Sequence, residues 1–154
     1  MRILGIDPGP NESAYVIWDG ARVIEHGYLA NAALSQRLTG NGYDAKAIER
    51  VSFYGQTVGA SVFETCEWVG RFDAECTAML IKRRDVRLHL CDTARAGDPQ
   101  VRMAILDRFG GRKQAQGTTK ARGPLYGIKA HEWAALAVCI VAWDIIQKRS
   151  WLND

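Results

Sequence analysis

No stretch of this chain approaches the apolar length that a membrane-spanning helix needs. Nor does its start read as a secretory signal, because a basic beginning and a small-residue cleavage site are missing and Asp7 interrupts the apolar residues. A cytoplasmic location is the expectation. Cysteine is sparse and scattered: Cys66, Cys76, Cys91 and Cys139 form no Cys-x-x-Cys pair. That spacing disfavours a zinc site or a disulfide framework and suits buried free thiols in a reducing compartment. Internal repeats and low-complexity linkers are also absent, so nothing divides the chain. What is present, 154 residues with 47% apolar and 24% charged content, suits one domain spanning 1–154 with its own core.

The net charge of +3 decides little, but acidic residues are missing altogether from residues 108–122. Arg108, Arg112, Lys113, Lys120 and Arg122 lie there with Gly110, Gly111 and Gly117. A basic, glycine-rich loop suits a polyanion, and a solvated surface loop fits the same residues equally well. Lys82-Arg83-Arg84 reads as positive charge at a helix C-terminus.

The element order points to an α/β fold. Ile3, Leu4 and Ile6 form a buried strand that ends at Asp7 and is stopped by Pro8-Gly9. Residues 14–18 make a second strand, Asp19-Gly20 a hairpin turn, and residues 22–29 the returning third strand. A short helix is hinted at by Ala32, Ala33, Leu34 and Leu38. Residues 46–54 alternate as a fourth strand, with Ala47, Glu49, Val51 and Phe53 on one face. Ser61 and Glu64 predict a capping box for a helix carrying Val62, Cys66, Val69 and Cys76 along one side. Val86, Leu88 and Leu90 alternate as a fifth strand. Asp98-Pro99 opens a helix through Phe109. Residues 130–147 are apolar nearly all round, which predicts a buried helix with His131 and Glu132 in its first turn. A three-strand meander followed by alternating strands and helices gives a mixed sheet flanked by helices.

Three residues are out of keeping with their surroundings: Asp7 at a strand end, Glu49 on an apolar face, and His131 at the start of a buried helix. Singly, each has an ordinary explanation as a turn former, half of an ion pair or a structural histidine. Together they fit a cation site. If the first and fourth strands are neighbours, Asp7 and Glu49 approach one another, and two carboxylates in a low dielectric need a cation to stay ionised. Two carboxylates and an imidazole match Mg²⁺ or Mn²⁺, with the imidazole favouring Mn²⁺.

The chain resembles RuvC-type Holliday junction resolvases of the RNase H-like nuclease superfamily. The motifs are Ile3-Leu4-Gly5-Ile6-Asp7-Pro8-Gly9, Ile48-Glu49, Val58-Gly59-Ala60-Ser61, and His131-Glu132-Trp133-Ala134-Ala135-Leu136-Ala137. Their spacing and the segment 58–72 look most like compact phage-encoded relatives. The resemblance implies an RNase H-like mixed five-stranded sheet. It also implies a homodimer acting on branched DNA, and hydrolysis assisted by two divalent ions that leaves a 5′ phosphate and a 3′ hydroxyl. It assigns catalytic and metal-holding roles to Asp7, Glu49 and His131. Arg112, Lys113, Lys120 and Arg122 become candidates for DNA phosphate contacts; Trp68 and Phe72 are candidates for a dimer surface, with core packing the equal alternative.

The sequence departs from the family at Ala134, one turn after His131, where RuvC proteins normally carry an aspartate. Three readings follow. The site runs on three side chains with extra water ligands, Glu132 swings in, or the protein binds junctions and cuts them poorly. The first is preferred. Asp144 lies too far along the helix to substitute. Competing functions are an RNase H-like nuclease acting on RNA or an RNA/DNA hybrid, and a junction-binding module. A sugar-kinase or actin-like nucleotide binder is disfavoured, since it needs two such halves and a second phosphate loop.

Overall fold

The structure is a computed structural model that describes residues 1–52, 55 and 57–151. Its strands are β1 (Ile3–Asp7), β2 (Glu12–Trp18), β3 (Val23–Ala30), β4 (Ala45–Arg50) and β5 (Met79–Lys82). The helices are α1 (Asn31–Leu38), α2 (Ala60–Cys76), α3 (Arg83–Cys91), α4 (Asp98–Arg108), α5 (Arg112–Gln116) and α6 (Glu132–Trp151). The strands form one five-stranded sheet in the order β3-β2-β1-β4-β5. β1, β2 and β3 pair antiparallel, whereas β4 lies parallel to both β1 and β5. This is the mixed sheet flanked by helices that the element order predicts. Among the described residues, no helix is long and apolar enough to cross a membrane.

Strand periodicity sorts the core into two layers. Ile3, Val16, Trp18, Ala47 and Ile81 pack on one face against α6 and its neighbours. Leu4, Ile6, Tyr15, Ile17 and Ile48 pack on the other against α1 and α2, through Leu34, Leu38, Val69 and Phe72. By the same alternation Asp7 follows Ile3, and Glu49 follows Ala47, onto the α6 side.

α6 lies unusually close to β1 because Gly5 has no side chain. A Cβ there would stand 2.3 Å from both Ala135 O and Cys139 Sγ. Cys139 Sγ also reaches Ile3 O at 3.8 Å, so the helix runs back along the strand. One helical turn rises about 5.4 Å and two strand residues about 6.6 Å. The steps Ile3 to Gly5 to Asp7 thus match Cys139 to Ala135 to His131.

Several local expectations fail. Residues 83–91 are helix rather than strand; the fifth strand is the shorter β5 just before it. In α3 only Val86 is buried and Leu88 is exposed, so the alternation of Val86, Leu88 and Leu90 did not mark a sheet face. The basic run therefore opens a helix instead of closing one. α2 is capped by Gly59 without a side-chain hydrogen bond, so Ser61 and Glu64 form no capping box, and Thr65, Val69 and Phe72 make its buried face. Gly97 caps α4, its N–H donating to Gln100 Oε1 at 3.0 Å, which leaves Asp98 inside the first turn. Asp19-Gly20 does reverse the chain, in a longer turn where Asp19 Oδ1 accepts the N–H groups of Ala21 and Arg22. Of the four thiols only Cys139 is buried, and Cys66 is exposed. Phe53 and Tyr54, at the end of the expected fourth strand, lie outside the described residues.

Candidate active site

The carboxyl ends of β1 and β4 hold the two misplaced acids. Ile6 pairs with Ile48 in the parallel register, so Asp7 and Glu49 are the next residues on adjacent strands and face the same side. Both are buried, at 8% and 7% exposure. Burial first, and then the adjacent Glu49 carboxyl, push the Asp7 pKa up to about 9, against the opposing pull of Arg83.

Each member is held by a residue remote in sequence. His131, in the turn before α6, places Nδ1 3.0 Å from Asp7 Oδ2 while most of its ring stays exposed. Its backbone N–H donates to Tyr28 Oη at 3.1 Å. The preceding Ala130 has φ +46°, a left-handed conformation that costs a non-glycine residue about 1–2 kcal/mol. The turn after Asp7 is clasped as well. Gly9 N–H donates to Ser13 Oγ, Ser13 Oγ–H to Asn31 Oδ1 and Asn31 Nδ2–H to Gly9 O.

Glu49 gives both oxygens to Arg83, which donates from Nε at 2.7 Å and from an Nη at 3.1 Å. Arg50, its sequence neighbour, is not the partner. A cleft of about 260 Å³ runs past Asp7, Glu49 and Arg83 to Arg87. Neither arginine was expected at the site; Arg83 belongs to the basic run Lys82-Arg83-Arg84 at the end of β5, and Arg87 carried no signal of its own.

With Glu49 turned to Arg83, no three His, Cys, Asp or Glu side chains among the described residues are grouped closely enough to hold a metal ion as they stand. The donor chemistry nevertheless fits a hard divalent cation. Two buried carboxyls share one place, and an added positive charge relieves the cost of ionising both.

The comparisons locate this arrangement among known folds. No family model and no curated protein sequence matches the chain. A solved structure of Thermus thermophilus RuvC superposes with a TM-score of 0.63 at 17% identity, covering 91% of this chain and 92% of that one. The fold is RuvC-like. A second structure, T. thermophilus RuvC in complex with Holliday junction substrate, gives a TM-score of 0.60 at 17% identity and 91% coverage of each chain.

Within the RuvC-like frame the remaining expected residues scatter. Glu132 is 1% exposed. It accepts the Lys129 N–H at 2.9 Å and lies 3.1 Å from His26 Nδ1, so it is committed elsewhere and does not swing toward Asp7. Asp144 binds Arg108 and His89. Phe72 is core, and Trp68 packs on it with ring centroids 5.6 Å apart.

The basic segment does not reach the carboxylates. Its first part is α5, and Gly117 bridges to Arg122, so the expected flexible loop is partly ordered. Arg122 stacks over Tyr126. Pro124 O accepts the Val23 N–H at the start of β3, whereas Tyr28, five residues on, touches His131. Those two contacts lie about 17 Å apart along β3 at roughly 3.3 Å per strand residue, so Pro124 and His131 meet opposite ends of that strand.

Proposed function

We propose that this chain is a metal-dependent, structure-selective DNA endonuclease that resolves four-way junctions. The observation that carries the reading is the buried Asp7–Glu49 pair at the ends of adjacent parallel strands, with His131 on Asp7, in a RuvC-like fold. The junction in the complex belongs to the Thermus protein and enters here as an analogy of fold.

Asp7, Glu49 and His131 would hold Mg²⁺ or Mn²⁺; any second ion would rest on the same carboxylates together with phosphate oxygens and water. When bound, the cation supplies Lewis acidity to the water and to the leaving oxygen. The chain's own groups provide order. Arg83 holds Glu49 and His131 holds Asp7 while no cation is bound, Tyr28 anchors the His131 backbone, and Glu49 and His131 would be drawn toward Asp7 by a bound cation. In each cut a water oxygen bonds to phosphorus, the P–O3′ bond breaks and the 3′ oxygen takes a proton, leaving a 5′ phosphate and a 3′ hydroxyl. Opposed cuts imply a homodimer of single-domain chains. Arg112, Lys113, Lys120 and Arg122, far from the acids, suit phosphate contacts along a DNA arm. The likeness to phage-encoded relatives rests on the sequence motifs alone.

A second reading, a junction-binding module with weak cleavage, is favoured by Ala134 in place of a fourth acid. The test is incubation with labelled four-way junction, linear duplex and RNA/DNA hybrid in Mg²⁺ or Mn²⁺. We expect junction-restricted cleavage that Asp7→Asn abolishes. Tight junction binding without cuts in either metal selects the module, and cleavage of the hybrid alone overturns the substrate.

A further inference from the structure

Beside the carboxylate pair, between α3, α4 and α6, lies a second and smaller cavity of about 80 Å³. Ala134 lines it, so the space opened by that small residue belongs to it. Four hydrogen-bond donors, Arg83, Arg87, Arg102 and Trp133, share its walls with the carboxyls of Glu49 and Asp98 and with small apolar side chains. Three donor atoms of those residues, Arg87 Nε, Arg102 Nε and Trp133 Nε1, are buried without a hydrogen-bond partner among the described residues. Unmade hydrogen bonds of buried donors are costly, and a cavity holding several of them has an outstanding demand for acceptors.

The charges agree with that demand. Arg83 is matched by Glu49. Among the described residues Arg87 meets one carboxylate, at 3.4 Å, and that Asp98 side chain is 73% exposed. Arg102 lies over the Trp133 ring at 4.9 Å, and no carboxylate reaches it within salt-bridge distance among the described residues. The result is an excess of cationic donors in a space that admits a few waters or one tetrahedral oxyanion, and not a base. Arginine forks and indole N–H groups suit phosphate oxygens.

We infer that this cavity is a phosphate subsite, formed by Arg87, Arg102 and Trp133 with Arg83 at its border. It seats a DNA backbone phosphate next to the acids, where an aspartate at position 134 would have repelled it. The DNA assignment rests on the proposed function; the anion chemistry does not.

The test uses the full chain in chelator, so that no cleavage occurs. Inorganic phosphate is titrated at constant ionic strength while the Trp133 indole N–H resonance, identified by its loss in Trp133→Phe, is followed by NMR. A saturable shift that chloride does not reproduce is expected. Arg87→Gln should weaken phosphate about tenfold, as for loss of a charge-assisted hydrogen bond. Asp98→Asn, at an exposed position that leaves the fold intact, should tighten it by about threefold by freeing Arg87. The same Arg87→Gln chain should bind a four-way junction with a salt slope lower by about one. No saturable shift, or a shift unchanged in both variants, overturns the subsite. Phosphate binding with an unaltered junction salt slope overturns its assignment to DNA and leaves a site for free phosphate. Failure of the parent chain to cut junctions in Mg²⁺ or Mn²⁺, with these responses intact, counts against the nuclease reading alone.

Discussion

Asp7 is an acid placed beside another acid where little water reaches, and its protonation is therefore tied to folding. Burial first, and then Glu49, raise its folded-state pKa to about 9, from an unfolded value of about 3.9. A raised pKa contributes fully to stability below the unfolded value, and that contribution is lost as pH climbs through the folded one. In chelator, the unfolding free energy from urea titration should fall between pH 5 and pH 9, and Asp7→Asn should flatten the slope. Mg²⁺ at pH 8 should raise the Tm of the parent and not of Asp7→Asn, since only the parent has the charge to repay. Arg83 is the counterpart. Arg83→Met leaves Glu49 buried without its bidentate partner, and because the guanidinium is partly exposed we expect a loss of about 1–3 kcal/mol, read by urea denaturation.

At the scale of elements, the fit of α6 on β1 sets the distance between His131 and Asp7. Gly5→Ala puts a methyl 2.3 Å from the Ala135 carbonyl and the Cys139 sulfur, so the helix must move away. The expected loss is about 3 kcal/mol, together with weaker Mg²⁺ stabilisation, because the shift carries His131 off Asp7. The turn that starts the helix responds in the opposite direction. Ala130→Gly relieves a left-handed alanine and should raise stability by roughly 0.5–1 kcal/mol net of the added chain entropy, measured by thermal unfolding.

Over the whole molecule, the Asp7–Glu49 pair and the cations of residues 108–122 are separated along the sheet. Carboxylates and arginines close to them lie at the end where β1 and β4 finish, and the basic 108–122 segment sits by the opposite, hairpin end. Any DNA that touches both must run along the face between them. Lys113→Gln and Lys120→Gln should each lower the salt slope of junction affinity by about one without changing the cleavage rate at saturating DNA, a separation read by binding and single-turnover kinetics on the same preparations.

Strand content and facing were legible because they depend on short-range alternation. Periodicity put Asp7 at the end of the first strand and Glu49 on the Ala47 face of the fourth, and the pairing of those two strands brought the acids together. The buried C-terminal helix was equally plain from its unbroken apolar stretch. Residues 83–91 were misread because their apolar spacing of two is compatible with a strand; the short β5 immediately before them takes the edge of the sheet and leaves them to pack as a helix. Sequence, by itself, determined that Asp7 and Glu49 lie in strands among apolar neighbours. Only the tertiary structure decided that Asp7 and Glu49 share a side, that Arg83 pairs with Glu49, that Glu132 turns to His26, and that Ala134 opens onto a cavity bordered by three arginines. Those partners are set by how α3, α4 and α6 dock over the strands, and such long-range packing leaves no period in the local order of residues.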